Sequence, residues 1–471
     1  AVKRRGIQLG SHRMPDMNRR NGMMNPSLHP DSSAPMKLAH LKTLAISALL
    51  LVSWPGYAKA TVSETEAAIA KHVVAENPRA MALLQETVDI NSGTMNFDGV
   101  RKIGAVFERE FRELGFATEW IDGAGFNRAG HLVASHGNRG PKILLIGHLD
   151  TVFAEDSPFQ KMQKLSPTAA SGPGITDMKG GDVIIIQALR ALRAAGQLDN
   201  LQIRVVMTGD EENSGEPLAL SKQALLQAGD WADIALGFED GDGDPKTAAT
   251  SRRGASGWQL TVTGRPAHSS QIFQPDVGDG AVFEAARILD GFRSALSTVP
   301  NLSFNPGVIT GGTDAGLDAD TSRATAFGKD NVIAKTVLVS GDLRAISPEQ
   351  LTMARKTMQD IVAKHLPHTG AEIVFSEGYP PMAPTEGNAK LLEIYSQISE
   401  DFGFGPVIAI NPRNAGAADI SFVADKVDMA LDGIGLMGSG GHTVNETGDL
   451  ATLDAMTIRA AVTLYRLSQE R

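Results

Sequence analysis

Apolar positions recur along this chain with two different periods. From Ser63 to Leu114 they fall three and four residues apart. SETEAAIAKHVVAENPRAMALLQETVDI and VRKIGAVFEREFRELGF each place them on one helical face. Three strand candidates follow: ATEWID, HLVASH and the nearly continuous apolar run KILLIGHLD. KGGDVIIIQALRALRAAGQ then predicts a helix ending at Gly196. LQIRVVMTGDEE and ADIALGFED predict two further buried strands. Strands alternating with helices imply an α/β fold, with a mixed, largely parallel sheet flanked by helices.

The pattern changes near Ser251. ASGWQLTVTGRPAHSS alternates like a half-exposed antiparallel strand, and DVGDGAVFEAARILDGFRSAL is an amphipathic helix. KTVLVSGDLRA predicts a strand, SPEQLTMARKTMQDIVAKHL a helix opened by Ser347-Pro348, and AEIVFSEG another strand. This β-α-β-α-β order describes an α+β insert over residues 251–377. After Tyr379 the α/β pattern resumes and ends in the helix ATLDAMTIRAAVTLYRLSQER. The first domain is therefore expected in two parts, 61–250 and 378–471. A chain of 471 residues is too long for one ordinary core, which agrees with two domains.

The N-terminus stands apart. Residues 1–35 are basic, rich in Met, Asn and Pro, and aperiodic, so they are expected to be disordered or a translated upstream segment preceding a true start at Met36. In residues 36–60, Lys37 and Lys42 precede the short apolar run Thr43 to Trp54. Pro55-Gly56 break it, and Ala58-Lys59-Ala60 has the form of a cleavage site. These are the marks of a secretory signal peptide, and the periplasm or the exterior is the expected location. The run falls short of the roughly 20 apolar residues of a membrane span. A lipid anchor would need a Cys, and the chain has none. Without residues 1–60, 35 basic residues face 52 acidic ones, a net charge of −17. An acidic body without basic clusters argues against nucleic acid as a partner.

Without Cys, any metal site must use His, Asp and Glu, a donor set that suits zinc, manganese or cobalt. Such residues occur at successive strand ends or loops. His148 and Asp150 follow ILLIG, Asp177 lies in GPGITDMKGG, Glu211 and Glu212 follow RVVMTGD, Glu239 and Asp240 follow DIALGF, and His442 lies in GSGGHTVNETGDL. Singly, each has an ordinary reading: a loop histidine, a helix cap, a solvated turn. Jointly, several strand ends offering donors are what a two-metal site needs, because loops from the carboxyl ends of such a sheet converge.

These motifs resemble the co-catalytic di-zinc exopeptidase and amidohydrolase family of glutamate carboxypeptidase, acetylornithine deacetylase, succinyl-diaminopimelate desuccinylase and the aminoacylases. The resemblance rests on Gly147-His148-Leu149-Asp150-Thr151-Val152, Gly172-Pro173-Gly174 with Asp177-Met178-Lys179-Gly180-Gly181, Gly209-Asp210-Glu211-Glu212, Phe238-Glu239 and Gly441-His442. It implies a zinc-exopeptidase fold with two Zn2+, Co2+ or Mn2+ being possible substitutes. His148 and Glu239 would hold one metal, Glu212 and His442 the other, and Asp177 would bridge them. A cis peptide is implied between Asp177 and Met178. Asp150 would orient His148 through its other ring nitrogen. Glu211 would be the general base, taking a proton from a metal-bridging water and passing it to the leaving amine.

By the same resemblance the insert is a dimerisation and lid domain, and the chain a homodimer. His268 in RPAHSS would reach the partner's site and polarise the scissile carbonyl, while Asn331 in KDNVIA and Arg344 in GDLRA would bind substrate. The ordinary readings are an edge-strand histidine and an Arg344–Asp342 pair. The implied activity is hydrolysis of a peptide or N-acyl amide beside a free carboxylate. An aminopeptidase or dipeptidase of the same family is the alternative, and a non-catalytic periplasmic binding protein is the alternative of another class. Two departures argue against a glutamate preference: Ala417-Ala418-Asp419 where carboxypeptidase-like members carry Thr-Asp, and Tyr379 in place of a basic residue.

Overall fold

The computed structural model describes residues 62–318 and 323–469. Residues 1–35 and the signal-peptide reading of 36–60 lie outside the described residues. Three helices come first: α1 (Glu64–Ala75), α2 (Asn77–Val88) and α3 (Phe97–Glu113). Ser63 and Glu66 start α1 with a reciprocal cap, each side chain accepting the other's backbone N–H. Strands β1 (Ala117–Asp122), β2 (Gly130–His136) and β3 (Lys142–His148) follow, then helix α4 (Gly180–Ala194), β4 (Gln202–Thr208) and β5 (Ile234–Gly237). The insert contributes β6 (Ala255–Gly264), α5 (Gly280–Leu296), β7 (Ser303–Gly312), β8 (Thr336–Arg344), α6 (Pro348–Val362) and β9 (Thr369–Tyr379). Helix α7 (Glu386–Asp401), β10 (Met429–Leu431) and helix α8 (Leu453–Gln469) complete the chain.

The main sheet runs β1-β2-β4-β3-β5-β10. β4, β3, β5 and β10 are mutually parallel, while β1 and β2 form an antiparallel edge. The sheet is therefore mixed and largely parallel, as its unbroken apolar runs imply: β3 is buried from Ile143 to His148. Its last strand comes from beyond the insert.

Helix α4 is buried on all sides from Gly180 to Leu192, because it lies against the sheet and is covered by α1, α2 and α8. A Cβ on Gly181 would stand 1.9 Å from the carbonyl oxygen of Phe238. Only glycine lets the start of α4 press against the chain leaving β5, and this contact sets Asp177 beside Glu239.

The insert forms an antiparallel sheet, β7-β8-β6-β9, whose apolar face packs on α5 and α6 around Trp258, Phe292 and Leu343. Here the structure corrects the expected three strands to four. β7 reads SFNPGVITGG, and its proline and glycines hide the alternation. It is an edge strand with an irregularity between Pro306 and Val308, the setting in which a sheet tolerates proline. A hairpin, Asp314–Asp318 with Arg323–Phe327, continues from it.

A second small sheet was not foreseen. Gln163–Ser166, Ala169–Ser171, Thr447–Asp449 and Gly438–Ser439 pair antiparallel. Strands of two to four residues leave no periodic signal. This sheet nevertheless ties the loop before Asp177 to the loop that carries His442.

Candidate active site

Five chain segments meet at the carboxyl edge of the main sheet. His148 ends β3 and is buried, Glu211 and Glu212 lie just beyond β4, and Glu239 lies just beyond β5. Asp177 precedes α4 across a cis peptide to Met178, the isomer the resemblance implies. His442 comes from the far loop with φ 62°, a left-handed conformation unusual for a side chain with a Cβ.

The Asp177 carboxylate lies between two sets of donors. Its Oδ1 is 3.0 Å from His148 Nε2, which is also 3.4 Å from Glu239 Oε1. Its Oδ2 is 2.9 Å from His442 Nε2, which is also 3.2 Å from Glu212 Oε2. One carboxylate thus faces two histidine–glutamate pairs, one oxygen to each. His148, Asp177 and Glu212 alone offer ligand atoms all within 4.8 Å of one another.

The electrostatics are those of a cation site. Burial, reinforced by Asp177, pushes Glu239 up to about 7. Burial likewise pushes Glu212 up to about 7, against the opposing hydrogen bond from His442. Hydrogen bonds from its ring to Asp177 and Glu212 raise His442 to about 11. Burial works against a charged His148, yet Asp177 and Glu239 lift its pKa well above the usual imidazole value. Without a metal, protons balance the carboxylates. The cluster holds three carboxylates and two imidazoles, no lysine or arginine and no thiolate, so the donor set fits a pair of divalent cations.

Glu211 is set apart from the five donors. No hydrogen-bond partner of its carboxylate is found among the described residues, and burial holds its pKa well above the ordinary value despite the opposing charge of His148. Its backbone is fixed on both sides: its N–H donates to Asp150 Oδ1 at 3.0 Å, and its carbonyl accepts from the Tyr379 hydroxyl at 2.7 Å.

Asp150 behaves differently from the expectation. His148 Nδ1 is 3.0 Å from the Asp150 carbonyl oxygen but 3.6 Å from the carboxylate, so the backbone is the nearer partner of the ring. The carboxylate is occupied elsewhere. It accepts from Thr94 Oγ1 at 2.6 Å and from the N–H groups of Glu211 and Glu212 at 3.0 and 3.2 Å. Asp150 therefore holds the turn bearing the proposed base.

Three supports carry no sequence signal as such. The Glu446 carboxylate accepts from the N–H groups of Gly174, Thr176 and Asp177 and from the Thr176 hydroxyl, which fixes the approach to Asp177. Asp432 accepts from the Glu239 N–H at 3.4 Å and from Arg252 Nε at 2.8 Å. Buried Lys222 lies 3.1 Å from both Asp210 and Asp419, under the ring of Tyr379. Glu446, four residues after His442, was visible in GHTVNE only as part of a turn.

The insert residues lie apart. His268 is exposed, its Nδ1 2.8 Å from Ser270 Oγ, and it is paired across an isolated bridge with Val332. Ser269 N–H donates to the Asn331 carbonyl, so His268 and Asn331 share one edge. Arg344 Nε is 3.0 Å from Asp342 Oδ2, the ordinary pairing. Among the described residues no hydrogen bond or ion pair joins these three to the five donors.

The chain is similar to known proteins in sequence and in fold. Carboxypeptidase G2 of Pseudomonas sp. (strain RS-16) is 25% identical over 370 residues, spanning 78% of this chain and 84% of that protein. A probable succinyl-diaminopimelate desuccinylase of Staphylococcus aureus (strain Mu50 / ATCC 700699) is 30% identical over 173 residues, 36% of this chain and 41% of the relative. The crystal structure of aminopeptidase PepT from Bacillus cereus ATCC 10987 superposes with a TM-score of 0.66 at 18% identity, covering 84% of this chain and 99% of the other. Residues 144–466 match the sequence pattern of Peptidase family M20/M25/M40. That span holds all five donors and Glu211, and with it the chain belongs to Peptidase family M20/M25/M40, a family of metal-dependent hydrolases.

Proposed function

We propose that this chain is an exported two-metal hydrolase that cleaves a peptide or N-acyl amide bond beside a free carboxylate. The observation that carries the reading is Asp177, with one oxygen on His148 and Glu239 and the other on His442 and Glu212. His148, Asp177, Glu239, Glu212 and His442 would hold two Zn2+, which would polarise the scissile carbonyl and acidify the attacking water. Glu211, whose carboxylate has no hydrogen-bond partner among the described residues and whose affinity for a proton is raised, takes the proton from that water and returns it to the leaving amine. Asp150, Thr94 and Tyr379 hold Glu211 at its post. His268, Asn331 and Arg344 are proposed to meet the substrate from the insert, His268 in the site of a partner subunit. The open edge β7, with its exposed Ile309, is the proposed dimer contact.

Membership of a peptidase family argues against a non-catalytic binding protein. One observation favours an aminopeptidase instead: the Arg344 guanidinium is already paired with Asp342. An N-acyl amino acid library, presented once as free acids and once as amides, and a set of peptides with free amino termini, each offered to zinc-loaded residues 61–471, separate the readings. Amine release from the free acids alone supports the proposal. Release only from peptides with a free amino terminus supports the aminopeptidase. The N-terminal sequence of the exported protein, expected to begin after Ala60, tests the location, and light scattering tests the dimer.

A further inference from the structure

A pocket of about 370 Å³ opens beside Glu212. Met95, Val152 and Ala154 supply apolar walls, and Glu155, Glu212 and Asn213 form its polar border. Met95 is 59% exposed and Val152 40%, so two large apolar side chains face solvent next to the donor cluster. What marks them out is their place: they wall a concave space bordered by a few polar groups, the form of a ligand site. The floor is rigid. Gly93 and Thr151 form a parallel bridge, Thr94 N–H donates to the Thr151 carbonyl, and Thr151 N–H donates to that of Ser92. The Thr94 hydroxyl is already committed to Asp150. Among the described residues no lysine, arginine or histidine lines the pocket.

We infer that this pocket receives the acyl half of the substrate and selects an uncharged apolar acyl group. The inference rests on the hydrolase reading above, in which the free carboxylate is met by the insert. The pocket is built wholly from residues 93–96, 151–155 and 212–213, so it is left for the other half of the molecule. Its volume lies near the lower end of the roughly 300–1,000 Å³ of ligand sites, room for one substituent rather than a whole ligand. An aliphatic or aromatic group would cover Met95 and Val152 and expel water from them. A dicarboxylic acyl group would bring a second carboxylate beside Glu155, where the described lining holds no cation; Arg101, Lys102 and Lys161 line the adjoining cavity instead.

The test compares N-hexanoyl, N-acetyl and N-succinyl forms of whichever amino acid the library shows to be released fastest. For the zinc-loaded protein, kcat/KM is expected to be at least about tenfold higher for the hexanoyl form than for the succinyl form. Val152→Asp and Met95→Ser should each lower the hexanoyl rate several-fold more than the acetyl rate and so remove most of that preference. A second readout does not need turnover: calorimetric binding of the N-hexanoyl amino acid to the Glu211→Gln protein should weaken when Met95→Ser is added. Hydrolysis with no hexanoyl preference, or variants that depress the acetyl and hexanoyl rates equally, would overturn the pocket assignment while the hydrolase reading stands. Met95-dependent binding without hydrolysis of any member would leave the pocket standing as an apolar site and overturn the hydrolase reading.

Discussion

At the scale of single residues, the site divides into groups that hold charge and groups that hold those groups. Glu211→Gln preserves shape and removes the proposed base. We expect kcat to fall about 10²–10⁴-fold with metal content, measured by elemental analysis, unchanged. Asp150→Ala acts differently, because it leaves Thr94 Oγ1 and two backbone N–H groups without their acceptor. We expect a loss of about 2–3 kcal/mol in denaturant unfolding together with weaker metal binding, since the Glu211–Glu212 turn loses its anchor. A variant with normal stability and normal metal affinity would show that water replaces the carboxylate. The donors themselves were legible in the sequence, since each follows a strand or lies in a glycine-rich turn. The task of Asp150 was not. A spacing of two residues puts a carboxylate on the same side as an imidazole, but it does not say that two N–H groups from another strand end will reach that carboxylate first.

At the scale of elements, α4 and the small four-stranded sheet fix the distance between donors. Gly181 allows the start of α4 to touch Phe238, and a methyl group there has no free space. Gly181→Ala is expected to cost about 1–3 kcal/mol in unfolding free energy, and to weaken metal binding because Asp177 and Glu239 move apart. Equal metal affinity in both proteins, measured by competition with a chromogenic chelator, would separate helix packing from site geometry. The helices and long strands could be read from periodicity because burial imposes it. β7 could not: proline and glycine removed its alternation, and its edge position made that removal tolerable. The strands of the small sheet are too short to carry any period.

At the scale of the whole molecule, metal, protons and folding are linked. Glu212 and Glu239 hold protons up to about 7, and His442 up to about 11. A metal must displace those protons, so apparent affinity falls as pH drops from about 8 to about 6, and binding releases protons. Calorimetry in two buffers with different heats of ionisation counts them, and no release would contradict these raised values. Chelation should also lower stability. At a metal concentration a hundredfold above Kd, one site stabilises the fold by about 2.7 kcal/mol, and that amount should disappear on adding chelator.

The sequence by itself determined the α/β class and pointed to the insert and the candidate donor residues, because burial imposes periodicity and metal chemistry restricts donor types. The acidic balance and the lack of cysteine narrowed the metal and the partner in the same way. Tertiary structure alone decided which donor faces which, since the oxygens of Asp177 are assigned by two chain segments far apart in sequence. It alone revealed that Glu446 secures Asp177 across some 270 residues. It also left Arg344 paired with Asp342 and opened an apolar pocket beside Glu212. The physical reason is the same throughout: local pattern records whether a side chain is buried, whereas its partner is set by how distant segments pack.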